Sequence, residues 1–223
     1  MAGASQNEVP GGYTADAPST PDGKTIYFSL VSLCDVAPPT AADTSEVAAL
    51  IPALHEDDWR QIEFAPEANR PLLGRMVAAL SAFKSARSIG SGFSGIYVRQ
   101  ELPHPLSSSG LTLPGLRAAL PSGEFIPAFR ISSGGATAQV VGGFAIRLHG
   151  LGWLYGHAKS DTVQSLGLII DQSSEKPSPR SSQELSELLR SRKLLLVDWY
   201  SILVVPEPLS SWIDTWKQAR GDA

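Results

Sequence analysis

A single cysteine, Cys34, occurs in 223 residues. A disulfide framework within the chain is excluded, and so is a C-x-x-C metal site. Long apolar runs are lacking too: none approaches the roughly 20 residues that a membrane-spanning helix needs. The opening stretch MAGASQNEVPGGYTADAPSTPDG carries neither a basic n-region nor an apolar h-region, so no secretory signal is expected. Bases are almost missing from the first third. Residues 1–68 hold 11 acids against Lys24 and Arg60, whereas the remainder holds 16 bases against 11 acids. A dedicated nucleic-acid binder should show a basic face and a high pI; here the net charge is −4 and the pI about 5.6. The acidic third is suited instead to a basic protein surface. The expectation is a soluble chain kept in a reducing cytoplasm, with neither nucleic acid nor membrane as partner.

What is present is an ordinary globular composition, 43% hydrophobic and 18% charged, in a chain long enough for a sizeable core. Residues 1–23, rich in Gly, Pro, Ser, Thr and Ala, read as a flexible leader. Residues 24–223 read as one α+β domain with a mixed, mainly antiparallel sheet flanked by helices, because strands and helices intersperse without strict alternation. KTIYFSLVSLCDV (24–36) is expected to be the first strand, with a short helix after it, opened by Asp43 or Thr44 and limited by Pro52. The clearest helix spans 67–87, where Leu72, Leu73, Met76, Val77, Leu80 and Phe83 share a face; Asn69 is the expected cap. LTLPGLRAALPSG reads as a short helix. EFIPAFRIS and TAQVVGGFAIRLHG read as strands, the second bulged at Gly142–Gly143. GWLYGHAKS and VQSLGLIID extend the sheet. Ser181 with Glu184 forms a capping box ahead of QELSELLRSRK, LLLVDWYSILVVP reads as a central strand, and a last helix starts at Ser210 or Ser211.

Motifs for catalysis fall short. Gly90, Gly92 and Gly95 spell G-x-G-x-x-G, but that loop binds pyrophosphate only when it follows a strand and opens a helix. Here a helix ends at Arg87 and a strand follows, so the glycines read as a helix-to-strand connector. Ser94 lacks the second glycine of a nucleophile elbow, since Ile96 stands there. His149, His157 and Asp161 match no tight metal-ligand spacing. Cys34 has no neighbour to lower its pKa. No catalytic residues, cofactor or metal site are expected, and the chain reads as a binding protein rather than an enzyme.

Two groups remain as partner contacts. Glu56, Asp57 and Asp58 follow His55 as a block of polar charge before Trp59 and suit a basic surface. Trp212 and Trp216 stand one turn apart on the last helix, as aromatic anchors for an interface would.

Three segments, DDWRQIEF (57–64), GGFAIRLHG (142–150) and LLLVDWYSILVVPEPL (194–209), resemble strand segments of bacterial polymorphic-toxin immunity proteins, in particular those paired with type VI secretion nuclease effectors. The apolar strand carrying Trp199–Tyr200, followed by a proline-punctuated turn, carries most of the likeness. The resemblance implies a cytoplasmic α+β antitoxin that binds and neutralises a cognate toxin. Two alternatives stay open: a hydrolase with a site assembled from Ser94, His149 or His157 and Asp161, and a secretion adaptor or chaperone acting through the C-terminal helix. The oligomeric state is not readable.

Overall fold

The structure is a computed structural model. It describes residues 40–42, 51–89, 92–93, 97, 99, 101–133, 136–171 and 178–221. The expected leader, the strand at 24–36 with Cys34, the short helix after it, and Gly90, Ser94 and Gly95 lie outside the described residues.

In chain order the strands are β1 (Thr40–Ala42), β2 (Ala53–His55), β3 (Ile62–Pro66), β4 (Ser88–Ile89), β5 (Gly92–Phe93), β6 (Glu124–Ile126), β7 (Arg130–Ser133), β8 (Ala136–Val140), β9 (Gly143–Leu148), β10 (Gly152–Lys159), β11 (Thr162–Ile170), β12 (Leu194–Asp198) and β13 (Leu203–Val204). The helices are α1 (Arg70–Arg87), α2 (Leu113–Ala119), α3 (Pro179–Arg192) and α4 (Leu209–Gly221). Seven strands form an antiparallel sheet in the order β13-β12-β3-β11-β10-β9-β6. Four more form a sheet in the order β1-β8-β7-β2, whose β2–β7 pair is parallel. The molecule is an α+β domain with a mixed, mainly antiparallel arrangement, as its composition of elements implied.

Both faces of the large sheet are covered. Alternation along β12 shows how: Leu194 and Leu196 belong to the cluster built with Leu185 and Leu188 of α3 and with Ile213 and Trp216 of α4, while Leu195 and Val197 belong to the cluster built with Leu73, Met76 and Leu80 of α1. Strands buried on two faces have no polar side to present, and this is why LLLV runs unbroken. The smaller sheet covers the same large sheet further along, with Leu54, Phe129, Ile131 and Val140 packed on Ala145 and Tyr155.

The elements depart from the sequence expectations at turns. The segment 136–148 is not one bulged strand. It is two strands in different sheets, joined by a tight turn at Gly142, where φ is +68° and a Cβ would lie 2.2 Å from the Ala158 carbonyl oxygen; only glycine fits there. EFIPAFRIS likewise divides into β6 and β7, one in each sheet. LLLVDWYSILVVP folds back on itself as the β12–β13 hairpin. Its turn contains no Gly or Pro. The Asp198 carboxylate accepts from the Ser201 amide (3.0 Å) instead, and Ile202 adopts φ +55°. Asn69 occupies the N-cap position of α1, as expected, but its side chain makes no cap bond; its amide donates to the His104 carbonyl (2.7 Å). Ser181 lies inside α3, whose N-cap position is Ser178, and Glu184 reaches across to the Ser122 amide and hydroxyl rather than closing a capping box.

Candidate functional site

Where β2 ends, Glu56–Asp58 form a single 3-10 turn capped by His55, whose Nδ1 accepts from the Asp57 amide (3.3 Å). The turn is short because Trp59 must reach the core. Its ring stacks on Phe129 at 5.8 Å and leans on Tyr155 at 5.5 Å. Arg60 then takes φ +56°, reversing the chain into β3. Tyr155, on β10, two strands from β3 in the sheet, fastens this reversal from below. Its hydroxyl donates to the Asp58 carbonyl (2.8 Å) and accepts from the Arg60 amide (2.7 Å). Gly167 makes room for the ring: a Cβ there would meet Tyr155 Cζ at 2.5 Å. Burial pushes the Tyr155 phenol far above its usual range, so it stays a neutral donor.

The Tyr155 hydroxyl serves two backbone groups at once. Tyr155→Phe is expected to leave both without it, lowering stability by about 1–3 kcal/mol and raising exchange at the Arg60 amide. Urea denaturation with amide hydrogen exchange checks both, and an unchanged Arg60 exchange rate would show that the turn is held by other means.

A buried ion network lies beneath. Glu63 is 1% exposed and accepts from Arg60 Nε (2.7 Å) and Nη2 (2.6 Å), from Trp199 Nε1 (2.9 Å) and from Arg99. The Arg99 guanidinium also lies over the Trp199 ring, 4.6 Å from its centroid. Burial alone would push the Glu63 carboxyl up. Attraction to Arg60 and Arg99, with the hydrogen bonds from Trp199 and Arg60, overcomes it and holds the carboxyl below its usual range.

Glu56 is exposed and Asp57 retains about half of its side-chain surface. Asp58 differs: its Oδ1 accepts from the Tyr200 hydroxyl (2.8 Å). Beside it opens a cleft of ≈ 480 Å³ whose walls include Asp58, Gln61, Trp153, Asp171, Tyr200 and Trp216.

Trp212 and Trp216 are each 6% exposed and belong to the main core. Their one-turn spacing serves packing on the sheet, so they are not surface anchors in this fold. Trp216 nonetheless reaches the cleft wall that Asp58 shares.

His149 and Asp161 sit in the turns at opposite ends of β10, roughly 25 Å apart by strand rise. Asp161 and Ser160 both have positive φ, as a tight hairpin turn between β10 and β11 requires. The His149 carbonyl accepts from Ser178 N and Ser181 Oγ (both 3.3 Å) at the start of α3. Only His157 gains a catalytic-looking neighbour. Its Nδ1 is 2.7 Å from Ser165 Oγ, directly across the β10–β11 pairing. Burial, then the Arg60 charge, lowers its pKa. Among the described residues, no three of His, Cys, Asp and Glu cluster as a metal would need, and no helix is long and apolar enough to cross a membrane.

Sequence reasoning gave no site role to Gln61, Glu63, Arg99, Trp153, Asp171 or Tyr200. Glu63 left a trace as an acid inside an otherwise apolar strand, and Tyr200 was singled out only as part of the aromatic pair. Set against known proteins, the chain matches no family model, no curated protein and no solved structure.

Proposed function

We propose that the protein is an immunity-type inhibitor, an antitoxin that docks through the Glu56–Asp58 turn on a basic surface of a cognate toxin. A toxin acting on nucleic acid would have such a surface, because it must hold phosphates. One observation carries the reading. Two acids project from a turn whose backbone is clamped by Tyr155 and whose third acid is held by Tyr200. A charged loop fixed in advance loses little conformational entropy on docking.

The structure refines which residues to change. Asp58 is bonded within the fold, whereas Glu56 and Asp57 face water. Glu56→Lys with Asp57→Lys is therefore expected to slow association with the toxin about 10- to 100-fold at low salt and to flatten its salt dependence, with the melting temperature unchanged. The partner is the toxin recovered from the native cells by affinity to the wild-type protein. Suppression of its lethality by the wild-type protein, and weaker suppression by the double variant, completes the test. Equal association rates at low salt would overturn the docking turn.

The hydrolase reading would have to rest on His157 and Ser165. A general base must become an imidazolium, normally oriented and stabilised by a carboxylate. At His157 burial, and then the positive charge of Arg60, work against that state. The geometry favours binding.

A further inference from the structure

We propose that the cleft beside the acidic turn is a guanidinium site: it receives an arginine-like group together with the carbonyl attached to it.

Three features of the wall select this chemistry. Asp58 and Asp171 both line the cleft, and among the described residues no Lys, Arg or His does. Near the wall, Arg60 pairs with Glu63 and Lys217 Nζ donates to the Gly150 carbonyl (3.1 Å). An anionic ligand would meet the two like charges of that wall. Trp153, Tyr200 and Trp216 supply aromatic surface. A planar guanidinium stacks on such rings and hydrogen-bonds carboxylates through its edge, whereas an ammonium is a strongly hydrated point charge. Trp153 already accepts one guanidinium near its ring, that of Arg147 at 5.8 Å.

The independent observation is Gln61. It is 2% exposed and forms part of the cleft wall, and its Nε2 has no hydrogen-bond partner among the described residues. A buried donor left unmade is unfavourable, and folded proteins rarely keep one without a reason. A guanidinium has no acceptor to offer it. The carbonyl of the residue bearing the guanidinium does. The wall therefore asks for two groups that an arginine residue carries together.

The source is either a free arginine derivative or an arginine side chain of the partner. The second rests on the immunity reading, and Asp58 makes it continuous with the docking turn. The probes are Nα-acetyl-L-arginine amide and its citrulline counterpart, which has the same shape without the charge. Titration followed by the indole N–H signals of Trp153 and Trp216 is expected to show saturable arginine binding on the order of 1 mM, with citrulline about tenfold weaker or more. Asp171→Asn, at the exposed position that follows β11, should weaken arginine about tenfold. Gln61→Leu should weaken it without lowering the melting temperature, whereas a purely structural Gln61 would lower it. Equal citrulline binding, or no arginine binding up to about 50 mM, overturns the proposal whatever happens to the Glu56/Asp57 variant. Arginine binding with partner affinity untouched by Asp171→Asn assigns the site to a free small molecule. Loss of both assigns it to the partner's arginine.

Discussion

Glu63→Gln is expected to lower stability by about 3–5 kcal/mol, because it leaves the buried Arg99 guanidinium without its counter-charge. For a chain of this size that corresponds to a melting temperature lower by on the order of 10 °C. The glutamine has nearly the same shape, so packing is not the cause. Arg60, with part of its side chain exposed, can turn to water; Arg99, 4% exposed, cannot. Hence Glu63→Leu combined with Arg99→Met should recover much of the loss, since an apolar pair is often as good as a buried ion pair.

The acid response of the same site has a definite sign. The folded Glu63 carboxyl titrates below its usual value near 4.5. Its contribution is therefore complete above that pH and is lost as pH falls through the lowered value. Urea midpoints for wild type and Glu63→Gln should differ most at neutral pH and converge in acid. His157 contributes to the same limb at higher pH. Its folded pKa lies below the usual 6.5, first through burial and then through the Arg60 charge, so its contribution is complete above 6.5 and declines as pH falls below it. A gap between the two proteins that stays constant down to pH about 3 would show that Glu63 is not the titrating group.

Periodicity served well where one face of an element meets the core and the other meets water. The apolar stripe of α1 was visible because Leu73, Met76, Leu80 and Phe83 recur at helical spacing, and all four are buried. It failed where polar side chains do the work of turn residues. The stretch 194–206 is apolar apart from a few polar side chains such as Asp198 and Ser201, and it holds no Gly or Pro before Pro206, so it carries no usual turn signal. The reversal depends on Asp198, 0% exposed, bonding three residues ahead. The site was harder still. The acids of 56–58 are legible as charge, but what distinguishes Asp58 from its neighbours is Tyr200, 142 residues away. Glu63 finds Arg99 at 36 residues and Trp199 at 136. Such pairings depend on which strands become neighbours, and β12 lies beside β3 only because the sheet order departs from chain order. Local spacing carries no information about that. The same reason dissolves the His149, His157 and Asp161 grouping: residues close in sequence were carried to opposite ends of one strand.

Trp212→Ala is expected to lower stability by about 3–5 kcal/mol, as truncation of a large core aromatic does. Two losses combine. The ring is packed in the main core between α4 and the sheet, and its Nε1 donates to Asp198 Oδ2 (3.3 Å). Asp198 is fully buried, and its other oxygen holds the β12–β13 turn through Ser201. Trp212→Phe retains most of the packing and removes only the donor, so it should cost less, about 1–3 kcal/mol. It should also raise exchange at the Ser201 amide, as the carboxylate loses one of its two fixed partners. An interface tryptophan would behave differently: Trp212→Ala would weaken toxin binding while leaving the urea midpoint in place. Measuring both quantities on one variant decides between the core position seen here and an anchor role. An unchanged midpoint with reduced affinity would return Trp212 to the surface.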